Sequence, residues 1–211
     1  MIFGLIKSIQ KRDPVQPSFL EVLLAYPGVH VLLFYKIARV LWGFGWRTPA
    51  RVVSHIGRFL TGIEIHPAAK IGKRFFVDHG MGVVIGETAV VEDDVTLYHG
   101  VTLGGIGAQQ KGKRHPTLKN NVMVGAGAQI LGDITIGEGA KVGANAVVTT
   151  DVPAGCTAVG NPARLVSCKC DETTVQAYGL PSDQKLDPLG EEIERLMADI
   201  VSLKKRLHKK K

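Results

Sequence analysis

Three short polar clusters could do chemistry in this otherwise small and aliphatic sequence: Arg12-Asp13-Pro14, then Glu64-Ile65-His66-Pro67 with Val77-Asp78-His79-Gly80, then Lys113-Arg114-His115-Pro116. A histidine beside a carboxylate, as in Asp78-His79, is a natural general base. Its ordinary pKa lies near 6.5, and the carboxylate can orient the ring and stabilise the imidazolium. A surface histidine by itself is structural more often than catalytic; the neighbouring clusters favour a chemical reading here.

The elements that must position these residues follow from a six-residue beat. Aliphatic side chains fall at Ile65, Ile71, Val77, Val83, Val95 and Val101, with Ala89 on the weaker beat, and again at Leu118, Val124, Ile130, Ile136, Val142 and Val148. Such a hexapeptide period predicts a parallel β-helix, in which each repeat is a short strand and a turn and three repeats close one triangular coil. Gly72, Gly86, Gly125, Gly137 and Gly143 recur beside the beat, where tight corners are expected. Val101 and Leu118 are 17 residues apart, so the beat predicts a single break, a loop of about 11 residues inserted into one repeat. Long excursions from rigid scaffolds tend to be functional.

The division expected is a helical segment over 1–62, a β-helix over 63–166 with the inserted loop at about 104–117, a linker over 167–188, and a basic helix over 189–211. Asp13-Pro14 and Pro17-Ser18 are helix-start signals. The apolar run from Val29 to Trp46 contains His30, Lys36 and Arg39, which predicts a buried amphipathic helix and not a membrane span. Leu189, Ile193, Leu196, Ile200, Leu203 and Leu207 alternate steps of four and three, a heptad seam. The formal net charge is +7, but Lys204, Lys205, Arg206, Lys209, Lys210 and Lys211 supply most of it, so a solvated helix end is favoured over a nucleic-acid or membrane partner. Cys156, Cys168 and Cys170 form no staple framework and suit free thiols in the cytoplasm; Cys168-Lys169-Cys170 alone is weak evidence for a metal or redox site.

The stretch GIEIHPAAKIGKRFFVDHGMGVVIGETAVVEDDV, the VTLGG before the loop, the KRHP within it and the GNPAR after the coils together resemble serine O-acetyltransferase, a hexapeptide-repeat acyltransferase. The resemblance runs from Arg12 to about Val166. It implies a left-handed coil and transfer of acetyl from acetyl-CoA to L-serine, giving O-acetyl-L-serine for cysteine biosynthesis. It makes His79 the general base and Glu64 its dyad partner, Asp13 and Asp78 the receptors of the ammonium, and Arg114 and His115 those of the carboxylate. That set is complementary to a free amino acid, since arginine can hold a carboxylate through two parallel hydrogen bonds. Many members carry Asp where Glu64 stands. A turn of three hexapeptides places residue 61, not 64, beneath His79, so Glu64 has two readings, dyad partner or surface carboxylate.

The same resemblance implies direct attack of serine on the thioester and coenzyme A contacts at Gly105, Ala126, Lys141 and Ala144, although small residues at 126 and 144 equally suit tight corners. It implies a homotrimer with sites between coils, no metal, and cysteine as a feedback inhibitor. A complex with cysteine synthase is not expected, because the chain ends in lysines and not isoleucine. Two rivals are a hexapeptide acetyltransferase acting on a sugar or other hydroxyl and a three-histidine zinc enzyme. The first has no need of paired ammonium and carboxylate receptors. The second would draw on His66, His79, His99 and His115 at spacings unlike that family's.

Overall fold

The computed structural model describes residues 2–107, 112–168, 195–196 and 200. The chain divides into two compact units, Met1–Leu180 and Pro181–Lys211. In the second, Leu196 and Ile200 are exposed helical residues; the rest of the heptad seam, and Cys170, lie outside the described residues.

Four helices precede the coil: α1 (Ile2–Arg12), α2 (Phe19–Ala25), α3 (Pro27–Gly43) and α4 (Arg47–Thr61). Their limits are written locally. Ser18 and Glu21 cap α2 reciprocally, Pro27 opens α3, and Gly62 ends α4 in the left-handed region, its N–H donating to Arg58 O at 2.7 Å. Helix α3 is only half-buried. Val29, Val31, Tyr35 and Ala38 face inward, while Leu33, Ile37 and Val40 are exposed, so the expectation of a buried helix holds for one face only. Its start lies hard against the coil: a Cβ on Gly28 would sit 2.4 Å from Val77 O. Among the described residues no single helix is long and apolar enough to cross a membrane; α2 and α3 reach that length only as a pair bent by 60°.

From Glu64 the chain is a left-handed parallel β-helix with three faces. The first face stacks strands at Glu64–Ile65, Val84–Ile85, Thr102–Gly104, Gln129–Leu131 and Val147–Val148; the second begins at Lys70–Ile71 and the third at Phe76–Val77. Each turn buries two aliphatic rows. On the first face one row is Ile65, Ile85, Leu103, Ile130 and Val148, and the other is Ile63, Val83, Val101, Ala128 and Ala146.

The register corrects the expected spacing. Val77 pairs with Leu97, not Val95, and Glu64 pairs with Val84, so the first turn is 20 residues long and the beat breaks twice. The earlier break is two extra residues in the corner at 78–82. The beat crosses there from one buried row to the other, which hides the insertion. The later break, between strands Thr102–Gly104 and Thr117–Leu118, is correspondingly nine residues beyond a hexapeptide and not about 11. His79 therefore stands in register with His99 one turn on; the turn before it does not contain the insertion, so the position beneath it is 18 residues earlier, Thr61, the last residue of α4.

The coil also runs past the Gly160-Asn161-Pro162 turn. Arg164–Ser167 folds back antiparallel on Thr157–Val159, and Cys168 forms a disulfide with Cys156. The expectation of free thiols is thereby corrected for these two: the return strand brings residues 12 apart face to face.

Candidate functional site

The corner at 78–82 lies between the third and first faces and turns on positive backbone angles, with His79 at φ 58°, Gly80 at 78° and Gly82 at 79°. A left-handed histidine is uncommon, and such residues cluster at functional sites. The bend sorts two neighbours. The His79 side chain is 73% exposed, that of Asp78 only 20%, and His79 Nε2 lies 3.9 Å from Asp78 Oδ1. His99 packs edge-on against His79, ring centroids 5.9 Å apart.

Asp13 reaches the same place from the end of α1. It is buried, its Oδ2 accepts the Tyr26 hydroxyl at 2.6 Å, and its Oδ1 accepts the Val15 N–H at 2.9 Å. Tyr26 in turn stacks on Phe76 of the third face. Burial raises the Asp78 carboxyl above its ordinary range; His79 opposes this and the Asp13 charge adds to it. Burial, then the hydrogen bond to Asp13, raises the Tyr26 hydroxyl and keeps it a donor. Arg12 fixes the end of α1 by donating to Asp94 O at 3.0 Å, Thr96 Oγ1 at 2.9 Å and Arg74 O. Burial lowers its guanidinium to about 10, which leaves it charged at neutral pH. A cleft of about 610 Å³ opens beside Asp13, lined by Phe76, Thr96, Tyr98 and Met123.

The inserted loop returns at the opposite end of the first face. Lys113 pairs with Asp133 at 2.8 Å. His115 is only 6% exposed, and its ring lies over Gly86, where a Cβ would come within 2.0 Å of Cδ2. Thr88 ties down the turn: its Oγ1 accepts the N–H groups of Arg114 at 3.0 Å and His115 at 3.1 Å and stands 2.8 Å from His115 Nδ1. Burial, then Arg114, pushes the His115 ring below its ordinary pKa. His66, on the same corner, is lowered chiefly by burial and packs edge-on to Trp42.

Glu64 binds Arg58, with Oε2 2.7 Å from Nη1; among the described residues its carboxylate makes no hydrogen bond to His79. Two of the four positions expected to meet coenzyme A, Ala126 and Ala144, fall into a column with two histidines. Since Phe76, Thr96, Met123 and Lys141 are in register, so are His79, His99, Ala126 and Ala144, each three residues later on the same corner. That column spans three strand spacings, about 14 Å. Ala126 is buried and Ala144 half-buried, so both keep the backbone approachable. Lys141 stands beside them on the third face, whereas exposed Gly105 opens the loop at the other corner. Among the described residues no group of three or more His, Cys, Asp or Glu is placed to hold a metal.

Tyr26 and Thr88 were not legible as site residues, and His99 only as a ligand of the rival zinc reading; each meets the site through a contact distant in sequence, and the pairing of His99 with His79 needs the 20-residue turn to be seen.

Residues 115–150 match the bacterial transferase hexapeptide family model, six repeats. A serine acetyltransferase of Helicobacter pylori is 56% identical over 162 residues, covering 77% of this chain and 94% of its own length. The chain belongs to the serine acetyltransferase family. Three solved serine acetyltransferases share its fold. The soybean enzyme complexed with serine has a TM-score of 0.73 at 46% identity, over 76% of this chain and 66% of that one. A complex with cysteine scores 0.75 at 44%, over 77% and 67%. The Brucella abortus enzyme with coenzyme A scores 0.74 at 39%, over 78% and 67%. The chain thus spans about two thirds of those chains and nearly all of the Helicobacter one.

Proposed function

We propose that this protein transfers the acetyl group of acetyl-CoA to the hydroxyl of L-serine, yielding O-acetyl-L-serine and free coenzyme A for cysteine biosynthesis in the cytoplasm. The observation that carries the reading is the division of charge between two corners. Asp13 and Asp78 gather at one, beside an exposed histidine in the left-handed region, and Arg114 and His115 at the other. A free amino acid with a hydroxyl matches that set, and the relatives with bound serine and coenzyme A support it.

His79 takes the proton as the serine oxygen attacks the thioester carbon. The tetrahedral oxyanion is held by backbone N–H groups of the coil or loop, and the C–S bond then breaks as the departing thiolate takes the serine proton from the His79 imidazolium. Asp78 stands beside the ring while Asp13 and Asp78 share the ammonium. Glu64 is the further carboxylate of the dyad if it exchanges Arg58 for His79. Coenzyme A lies along the corner column, its pantetheine arm passing Ala126 and Ala144 and a phosphate meeting Lys141, with Gly105 contacted across the interface. Cysteine presents the same ammonium and carboxylate, so it competes at this site as a feedback inhibitor.

The two corners are one face apart, about 15–20 Å for six residues at 3.3 Å each. One serine cannot bridge them, so the site closes between neighbouring copies, and a homotrimer is the assembly proposed. Thiol release with L-serine, homoserine and sugar acceptors tests the substrate; a sugar preferred over serine would refute it. Mixing chains carrying His79→Ala with chains carrying Arg114→Ala tests the assembly. Activity should return in the mixture, because some interfaces then hold both native residues, and a mixture as inactive as its components would refute the shared site.

A further inference from the structure

Around His115 three contacts converge on one threonine. The backbone N–H of Thr88 donates to His115 Nδ1 at 3.2 Å, and the Thr88 hydroxyl lies 2.8 Å from the same nitrogen. An N–H can only donate, so Nδ1 must be the acceptor and carries no proton. The hydroxyl oxygen is already accepting from the N–H groups of Arg114 and His115, which directs its own hydrogen toward Nδ1 as well. The only nitrogen left to bear the imidazole hydrogen is Nε2.

We infer that Thr88 is a positioning residue for serine binding: it locks His115 as the neutral Nε2–H tautomer, a directed donor for the substrate carboxylate. This rests on the proposal that His115 receives that carboxylate. Two further observations agree with it. Burial and the adjacent Arg114 both disfavour a second proton on the ring. Nε2 has no hydrogen-bond partner among the described residues, yet no buried side-chain nitrogen or oxygen there is left unpartnered, so Nε2 is the end of the ring open to solvent. The absence of a Cβ on Gly86 leaves the space in which the ring lies; an added Cβ would stand 2.1 Å from Nε2. The loop therefore delivers one permanent charge, on Arg114, and one neutral donor of fixed direction. The arrangement favours a planar carboxylate without adding a buried cation beside half-buried Arg114.

The test combines spectroscopy and kinetics. In protein labelled with ¹⁵N-histidine, the His115 signals are assigned by their loss in His115→Gln among the seven histidines. The expected wild-type spectrum at pH 7.5 has Nε2 protonated and Nδ1 bare; an Nδ1–H tautomer or an imidazolium would overturn the proposal. Thr88→Val should raise KM for L-serine about tenfold and displace the His115 ¹⁵N signals, with KM for acetyl-CoA unchanged and Thr88→Ser close to wild type. Wild-type serine KM and unmoved signals in Thr88→Val would overturn it too. If Thr88→Val fails to fold, the wild-type spectrum and Thr88→Ser still decide. His115→Ala with an unaltered serine KM would refute the carboxylate role itself, a failure that leaves the tautomer measurement intact and so is separable.

Discussion

Replacing Asp78 by asparagine should weaken substrate binding and stabilise the fold. The side chain is 20% exposed, and its carboxyl is raised chiefly by burial, with the Asp13 charge adding to the effect and the His79 and His99 rings opposing it. Because its folded pKa exceeds the unfolded one, the unfolded chain releases the proton first as pH rises. Stability is lost between the two values and stays reduced above the folded one. Asparagine keeps the shape without that penalty, so Asp78→Asn should melt higher at pH 8 and lose the advantage in acid below both pKa values. The functional effect has the opposite sign. A hydrogen bond to a charged group contributes about 1.5–3 kcal/mol, so losing one of two carboxylates facing the ammonium should raise KM for L-serine roughly 10- to 150-fold. KM for acetyl-CoA should not move. Thermal melts at pH 8 and pH 3 with thiol-release kinetics decide; a variant less stable at pH 8, or one with unchanged serine KM, would refute the reasoning.

His79→Ala should lower kcat by roughly 10²–10⁴ while leaving the melting temperature near wild type, and Glu64→Gln should lower kcat less; wild-type turnover in the first would remove the base. Gly86→Ala places a methyl within 2.0 Å of the His115 ring. It should cost about 1–3 kcal/mol of stability, seen in urea titration, and raise serine KM, whereas a wild-type KM would show that the ring position is immaterial. Ala144→Leu should raise KM for acetyl-CoA at least about tenfold with serine KM intact, since a bulky side chain would stand in the corner column; an unchanged acetyl-CoA KM would move the cofactor elsewhere.

The scaffold was legible because the beat is a packing requirement: Ile65, Ile71 and Val77 must point inward or the coil has no core. The two-residue insertion was hidden for the same reason. Val83 and Ile85 are both aliphatic and both buried, in different rows, so a count of six from Val77 lands on Val83 and seems unbroken. The charged clusters stood out because a hexapeptide coil has no structural use for Asp-His or Arg-His at its corners. Their supports did not, since a tyrosine at 26 or a threonine at 88 is ordinary until the fold brings it to residue 13 or 115. The Cys156–Cys168 bond was masked by the nearer pair in sequence, Cys168 and Cys170.

The two insertions divide the work in a way the uniform coil could not. A regular corner has one short turn and would present neighbouring side chains alike. Two extra residues and a left-handed His79 send the imidazole outward while Asp78 stays half-enclosed with Asp13. An ammonium arriving there meets carboxylates in a medium less screening than water, where a charge pair at 4 Å gains about 4 kcal/mol at an effective dielectric constant near 20, against about 1 in bulk water. The anchor therefore benefits from enclosure, and its raised carboxyl is the cost that serine binding relieves. Under the proposed mechanism the base needs the reverse, access to both serine and a thioester lying along the Ala126 and Ala144 column. Serine affinity should then rise with pH through the range in which Asp78 ionises, because only the carboxylate form holds the ammonium, and Asp78→Asn should flatten that limb of the KM profile.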